Sequence, residues 1–173
     1  MESKFKSEPE IEEVGQFLNE FNKESDRGAV LISASLLDER LMKILEAFFI
    51  EIEESRDLLS APNAPLGTFA ARLSAAYSLG LIQENEYQEI TIIRKIRNEF
   101  GHKWSGVNFE SQRITSLFNN LPWLGPLELE KTSNSRNRFD FAVVGLLMDL
   151  LWRVRLVHRE KRKLNKWLGK NRP

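Results

Sequence analysis

One stretch of the chain constrains the fold more than any other: GAVLISASLLDERLMKILEAFFI, from Gly28 to Ile50. Drawn as a helix, it is apolar on most sides, whereas a helix at a protein surface shows a single apolar stripe. Such a helix is stable in water only when other helices surround it. The stretch therefore predicts the central helix of an all-α bundle.

The other periodic segments are also helical, because their apolar residues recur at spacings of three and four. Between them, LLSAPNAPLG contains two prolines, an asparagine and a glycine and predicts a loop. Gly80 is placed to end the helix before it. The sequence predicts one domain over residues 1–173, an all-α bundle of five to six helices. Besides the central helix, these cover about 9–23, 67–80, 84–104, 109–119 and 137–167.

Composition excludes several classes of protein. The chain has no cysteine, which excludes disulfides, thiol nucleophiles and zinc–thiolate sites. No apolar run is long enough to span a bilayer, and the first residues lack a signal-peptide core. We therefore expect a cytoplasmic protein without a membrane partner, and the residue pattern predicts no cofactor and no metal.

Charge is distributed unevenly along the chain. The net charge is zero, yet residues 152–173 contain nine Lys or Arg and one acid. We interpret this segment as a basic C-terminal helical extension. Two explanations stay open: an anionic partner, or a solvated helix end. The candidate nucleic-acid contacts are Arg159, Arg162, Lys163 and Lys166. An apolar stripe through Leu156, Leu164 and Trp167 favours packing of this segment on the bundle or on a partner.

The segment IRNEFGHKW, residues 96–104, carries the candidate chemistry. On an ideal helix, Arg97 lies about 60° from the centre of an apolar arc. Asn98 and His102 are four residues apart and point away from that arc. If two copies of this helix pack about a two-fold axis, both arginines and both histidines meet in one cleft. An imidazole could then move a proton while a guanidinium holds a phosphate, without a metal.

The string RNEFGH resembles the Arg-x4–6-His motif of HEPN domains, all-α dimers of which many are metal-independent ribonucleases. The resemblance implies catalytic roles for Arg97 and His102, with Asn98 as the polar residue that follows the arginine. The alternative that stays open is structural, with Arg97 pairing an internal acid and His102 lying at the surface.

A broader resemblance is to the mannitol operon repressor family. It rests on ESDRGAVLISASLLDERL (24–41), on PLGTFAARLSAAYSLGLI (65–82) and on the Arg-x4-His helix downstream. The resemblance implies a compact all-α protein described as a transcriptional repressor, although no helix-turn-helix spacing is visible in this chain.

Asp38 is the polar residue in these segments that most needs an explanation. A carboxylate on the most apolar helix is costly unless it is paired. Arg72 and Arg97 are the expected partners, since both come from helices that must pack on the central one. The cluster of Asp38, Arg72 and Arg97 is therefore either a structural ion pair or a functional polar site.

The sequence thus favours a transcriptional regulator that acts mainly by binding another protein, and we expect a homodimer. Under this hypothesis the protein is not an enzyme. The alternative is a HEPN-type endoribonuclease that uses Arg97 and His102 across the dimer. A third hypothesis is nucleic-acid binding through the basic C-terminal helix.

Overall fold

The computed structural model describes residues 8–103, 105–165 and 167. Within them the chain forms eight α-helices and a short 3-10 turn at Leu127–Leu129. The helices are α1 (Pro9–Phe21), α2 (Asp26–Phe48), α3 (Glu53–Ser60), α4 (Phe69–Ser78), α5 (Glu84–His102), α6 (Gln112–Phe118), α7 (Ser135–Asp149) and α8 (Arg153–Arg159). The all-α prediction is confirmed. The predicted number of five to six helices was too low, because α3 was missed and the last helix is divided.

Helix α2 is the centre of the bundle, as its apolar character predicted. It contacts α1, α3, α4, α5, α7 and α8. Ser25 begins the helix by accepting a hydrogen bond from the Gly28 N–H at 3.2 Å. Residues Leu37, Leu41 and Ile44 are completely buried at spacings of three and four. Burial on nearly all sides explains why a single-stripe pattern is missing from this segment.

The sequence predicted both the loop between α3 and α4 and the end of α4. Residues 61–68 connect the two helices, and Thr68 caps α4 by accepting from the Ala71 N–H at 3.2 Å. Gly80 has a φ of 69°, and the Leu81 N–H bonds back to the Ala76 carbonyl at 2.9 Å. This is the left-handed helix end that glycine favours, so the predicted role of Gly80 is confirmed.

The predicted final helix over 137–167 was wrong. Helix α7 ends at Asp149, α8 covers only Arg153–Arg159, and residues 160–165 are not helical. The break allows Arg153 to donate to both carboxylate oxygens of Glu86, at 3.0 and 2.6 Å. Glu86 is 1% exposed, so this bidentate pair compensates for the burial of its charge. Among the described residues, Lys161, Arg162 and Lys163 therefore do not continue α8 as the predicted helical extension.

The break between α7 and α8 generates a prediction about stability. Arg153→Ala would leave the buried Glu86 carboxylate without its cation, and it should lower the free energy of unfolding by about 3 kcal/mol. Urea unfolding followed by circular dichroism measures this change.

Arg159→Ala is the matched control, since Arg159 is an exposed arginine of the same helix, and it should stay within about 0.5 kcal/mol of wild type. An equally small effect of Arg153→Ala would contradict the structural role of the pair.

Candidate functional site

A cleft of about 320 Å³ opens where α2, the start of α4 and the second half of α5 meet. Each helix supplies polar groups at its rim. Its lining residues are Ala34, Ser35 and Asp38 from α2, Thr68, Phe69 and Ala70 at the start of α4, and Arg94, Arg97 and Asn98 from α5. The cleft therefore contains Asp38 and Arg97, two of the three charged residues that the sequence grouped into one cluster.

Asp38 pairs with Arg72 and not with Arg97. Nη1 of Arg72 lies 3.0 Å from Oδ1 of Asp38. The same guanidinium donates to the carbonyls of Leu66 at 2.9 Å and Leu59 at 3.3 Å. Arg72 therefore fixes α4 and the preceding loop to the central helix. The expectation that Arg97 also pairs with Asp38 was wrong.

Arg97 and Asn98 lie beside each other at the cleft. Arg97 is exposed, and its Nη1 donates to Oδ1 of Asn98 at 3.3 Å. Asn98 is half-buried and lines the cleft, whereas the helical wheel pointed it away from the apolar arc, toward solvent or another chain. A helical wheel assigns α5 one buried face, whereas the start of α4 covers part of a second face of this helix.

Arg94 is the cleft residue that the sequence argument missed. Its side chain is half-buried, and its Nε is buried without a hydrogen-bond partner. Arg94, Arg97 and Asn98 stand at positions i, i+3 and i+4, so they share a helix face. This spacing was the sequence signal that could have identified Arg94, which directly follows the buried Ile93.

His102 does not line the cleft. It is exposed in the last turn of α5, and the structure gives it no hydrogen bond or ion pair with any described residue. The end of this helix is instead held by Arg27, which donates to the carbonyls of Phe100 and Lys103, the latter at 2.7 Å. Catalytic roles for Arg97, Asn98 and His102 across a dimer stay a prediction.

The basic C-terminal residues lie elsewhere on the molecule. Arg159, Arg162 and Lys163 are exposed, and Lys166 lies outside the described residues. The backbone N–H of Arg162 donates to the Phe48 carbonyl at 2.9 Å, which fixes this segment beside the end of α2. Leu164 and Trp167 are 77% and 83% exposed, so the predicted packing of their apolar stripe on the bundle is not observed. Nucleic-acid contacts by these residues stay a prediction.

A second surface feature lies on α7 and α8. Trp152 and Leu156 are 44% and 51% exposed, and they wall a shallow depression together with Glu8, Arg155 and Arg159. Met148, one helical turn before Trp152 in sequence, is 51% exposed. Exposed apolar groups with basic neighbours are typical of protein-binding surfaces. We call Met148, Trp152, Leu156 and Arg159 the α7–α8 face; it shares no residue with the cleft.

Comparison with known proteins defines the class to which this helical domain belongs. Its fold resembles that of a chain in the X-ray structure of the MtlR–HPr complex from Escherichia coli, with a TM-score of 0.54. The two chains are 21% identical over 83% of this chain and 97% of the other. No curated protein sequence matches the chain. The family model of the mannitol repressor, MtlR, matches residues 12–157. The chain therefore belongs to the mannitol repressor family, as the resemblance predicted.

The ion pair of Asp38 gives a prediction that separates Arg72, its partner, from Arg97, which lines the cleft. Arg72→Ala leaves Asp38 and two carbonyls without their donor and should lower the free energy of unfolding by about 2 kcal/mol. Arg97→Ala removes an exposed side chain and should stay within about 0.5 kcal/mol of wild type. Urea unfolding of both variants tests this difference, and a larger loss for Arg97→Ala would contradict the assignment.

Proposed function

We propose that this protein is a transcriptional regulator that acts by binding another protein, and that the partner is a protein of the HPr type. The observation that carries the proposal is the solved complex of MtlR with HPr, one chain of which shares this fold. Family membership over residues 12–157 supports the regulatory role. None of the described helices is long and apolar enough to cross a membrane.

The α7–α8 face is the surface that we propose for this partner. Its exposed residues are a tryptophan, a methionine, a leucine and an arginine, and all of these except leucine are enriched in protein interfaces. The apolar groups would be removed from water by a partner, and Arg155 and Arg159 would lie at the rim. Helix α8, which carries Leu156 and Arg159 of this face, is held to α5 by the Arg153–Glu86 pair.

Several finer features belong to the same proposal. We expect a homodimer in the cytoplasm, as the sequence indicated. Direct binding of nucleic acid by the segment from Arg159 onward would be salt-dependent and secondary to the protein contact.

Isothermal titration calorimetry with purified HPr from the organism that encodes this chain tests both the proposed partner and the proposed surface. Wild type should bind HPr saturably. Leu156→Glu places a charge in the middle of the proposed interface and should raise Kd at least tenfold, because an unpaired charge would be desolvated there.

Leu129→Glu is the matched control, since Leu129 is 46% exposed against 51% for Leu156 and lies in the 3-10 turn. It should change Kd less than twofold. Absence of binding by wild type would contradict the proposed partner. A loss confined to Leu129→Glu would contradict the proposed surface.

A further inference from the structure

The cleft between α2, α4 and α5 carries more positive charge than its neighbours neutralise. Asp38 is its one acidic lining residue, and its ion-pair partner is Arg72. Arg94 and Arg97 also line the cleft, and neither forms an ion pair with a carboxylate in the part of the chain that the structure describes. Two guanidinium charges therefore face an open space that contains no uncommitted anion of the protein.

Arg94 is half-buried, and one of its donors has no hydrogen-bond partner. An arginine at a surface has water for all its donors, but Nε of Arg94 is buried and lacks an acceptor. Leaving a charged donor unsatisfied in this way is costly. Arg94 also lines the cleft, where an oxyanion would neutralise its charge, and a planar guanidinium matches an oxyanion with two parallel hydrogen bonds.

The remaining lining groups suit the same ligand chemistry. Phe69 and Ala70 are the first residues of α4, and the first N–H groups of a helix have no partner inside it. Ser35, Thr68 and Asn98 add short hydroxyl and amide groups that can bond to ligand hydroxyls. The volume of about 320 Å³ exceeds what a bare phosphate needs, so it leaves room for a small organic group.

We propose that this cleft binds a small phosphomonoester, with the phosphate held by Arg94 and Arg97 and the organic part facing Ser35, Thr68 and Asn98. A phosphate dianion matches the two uncompensated guanidinium charges. The proposal goes beyond the proposed function and is independent of it, because the cleft and the α7–α8 face have no residue in common.

Titration followed by NMR of the ¹⁵N-labelled full chain tests the proposal, with glucose 6-phosphate, inorganic phosphate and glucose as probes. We expect saturable shifts at residues 68–70 and 94–98 and at the Nε–H of Arg94. Glucose 6-phosphate should bind tighter than inorganic phosphate, and glucose should not bind. Equal affinity for inorganic phosphate would overturn the phosphomonoester as ligand, and absence of saturable shifts would overturn the site.

Two variants and one control test the residues. Arg97→Gln and Ser35→Glu both change exposed positions, so both should fold, as far-UV circular dichroism will show. Each should raise Kd for glucose 6-phosphate at least tenfold, the first by removing a donor and the second by adding a carboxylate. Lys95→Gln removes the same charge outside the cleft and should change Kd less than twofold.

An RNA oligonucleotide is the competing ligand in this experiment. If the RNA displaces glucose 6-phosphate from wild type and from His102→Ala equally well, the result would agree with a phosphate site at Arg97. Binding of RNA with no binding of either phosphate probe, lost in His102→Ala, would overturn the small-molecule proposal in favour of the ribonuclease hypothesis.

Discussion

The ion pair between Asp38 and Arg72 is the constraint on which the cleft depends. Asp38 lies on the central helix α2 with its side chain 28% exposed, and a nearby cation offsets its partial burial. Arg72 neutralises it from α4 and at the same time bonds two carbonyls of the preceding chain. This pairing fixes α4 and the preceding loop to α2 beside the cleft. It also uses the one acid in the cleft, so the charges of Arg94 and Arg97 remain available to a ligand.

Much of the fold was predictable from local signals. The all-round apolar character of α2 identified the central helix, and Gly80 identified a helix end. The division of the last helix was not predictable, because no proline or glycine lies between Asp149 and Arg153. The chain breaks there so that Arg153 reaches Glu86, which is 67 residues earlier. A helical pattern cannot show a contact at that distance in the sequence.

The candidate site was predictable only in part, for a related reason. Asp38, Arg72 and Arg97 were identified because a lone charge on an apolar helix demands a partner. A helical wheel treats each helix as having one buried face, so it pointed Asn98 toward solvent or another chain and gave no reason to single out Arg94. The cleft forms because three helices meet, and that meeting follows from tertiary packing. His102 shares a motif with Arg97 in the sequence, but it does not share the cleft.

We propose two separate surfaces on one helical domain: a cationic cleft for a small anion and an apolar face for a protein. Hydrogen–deuterium exchange of the full chain with and without HPr tests the central claim, that this regulator acts by binding a protein at the second surface. We expect slower amide exchange in residues 148–159 when HPr is added, and unchanged amide exchange in residues 68–72 and 94–98. Unchanged exchange throughout, or protection confined to the cleft, would contradict the central claim.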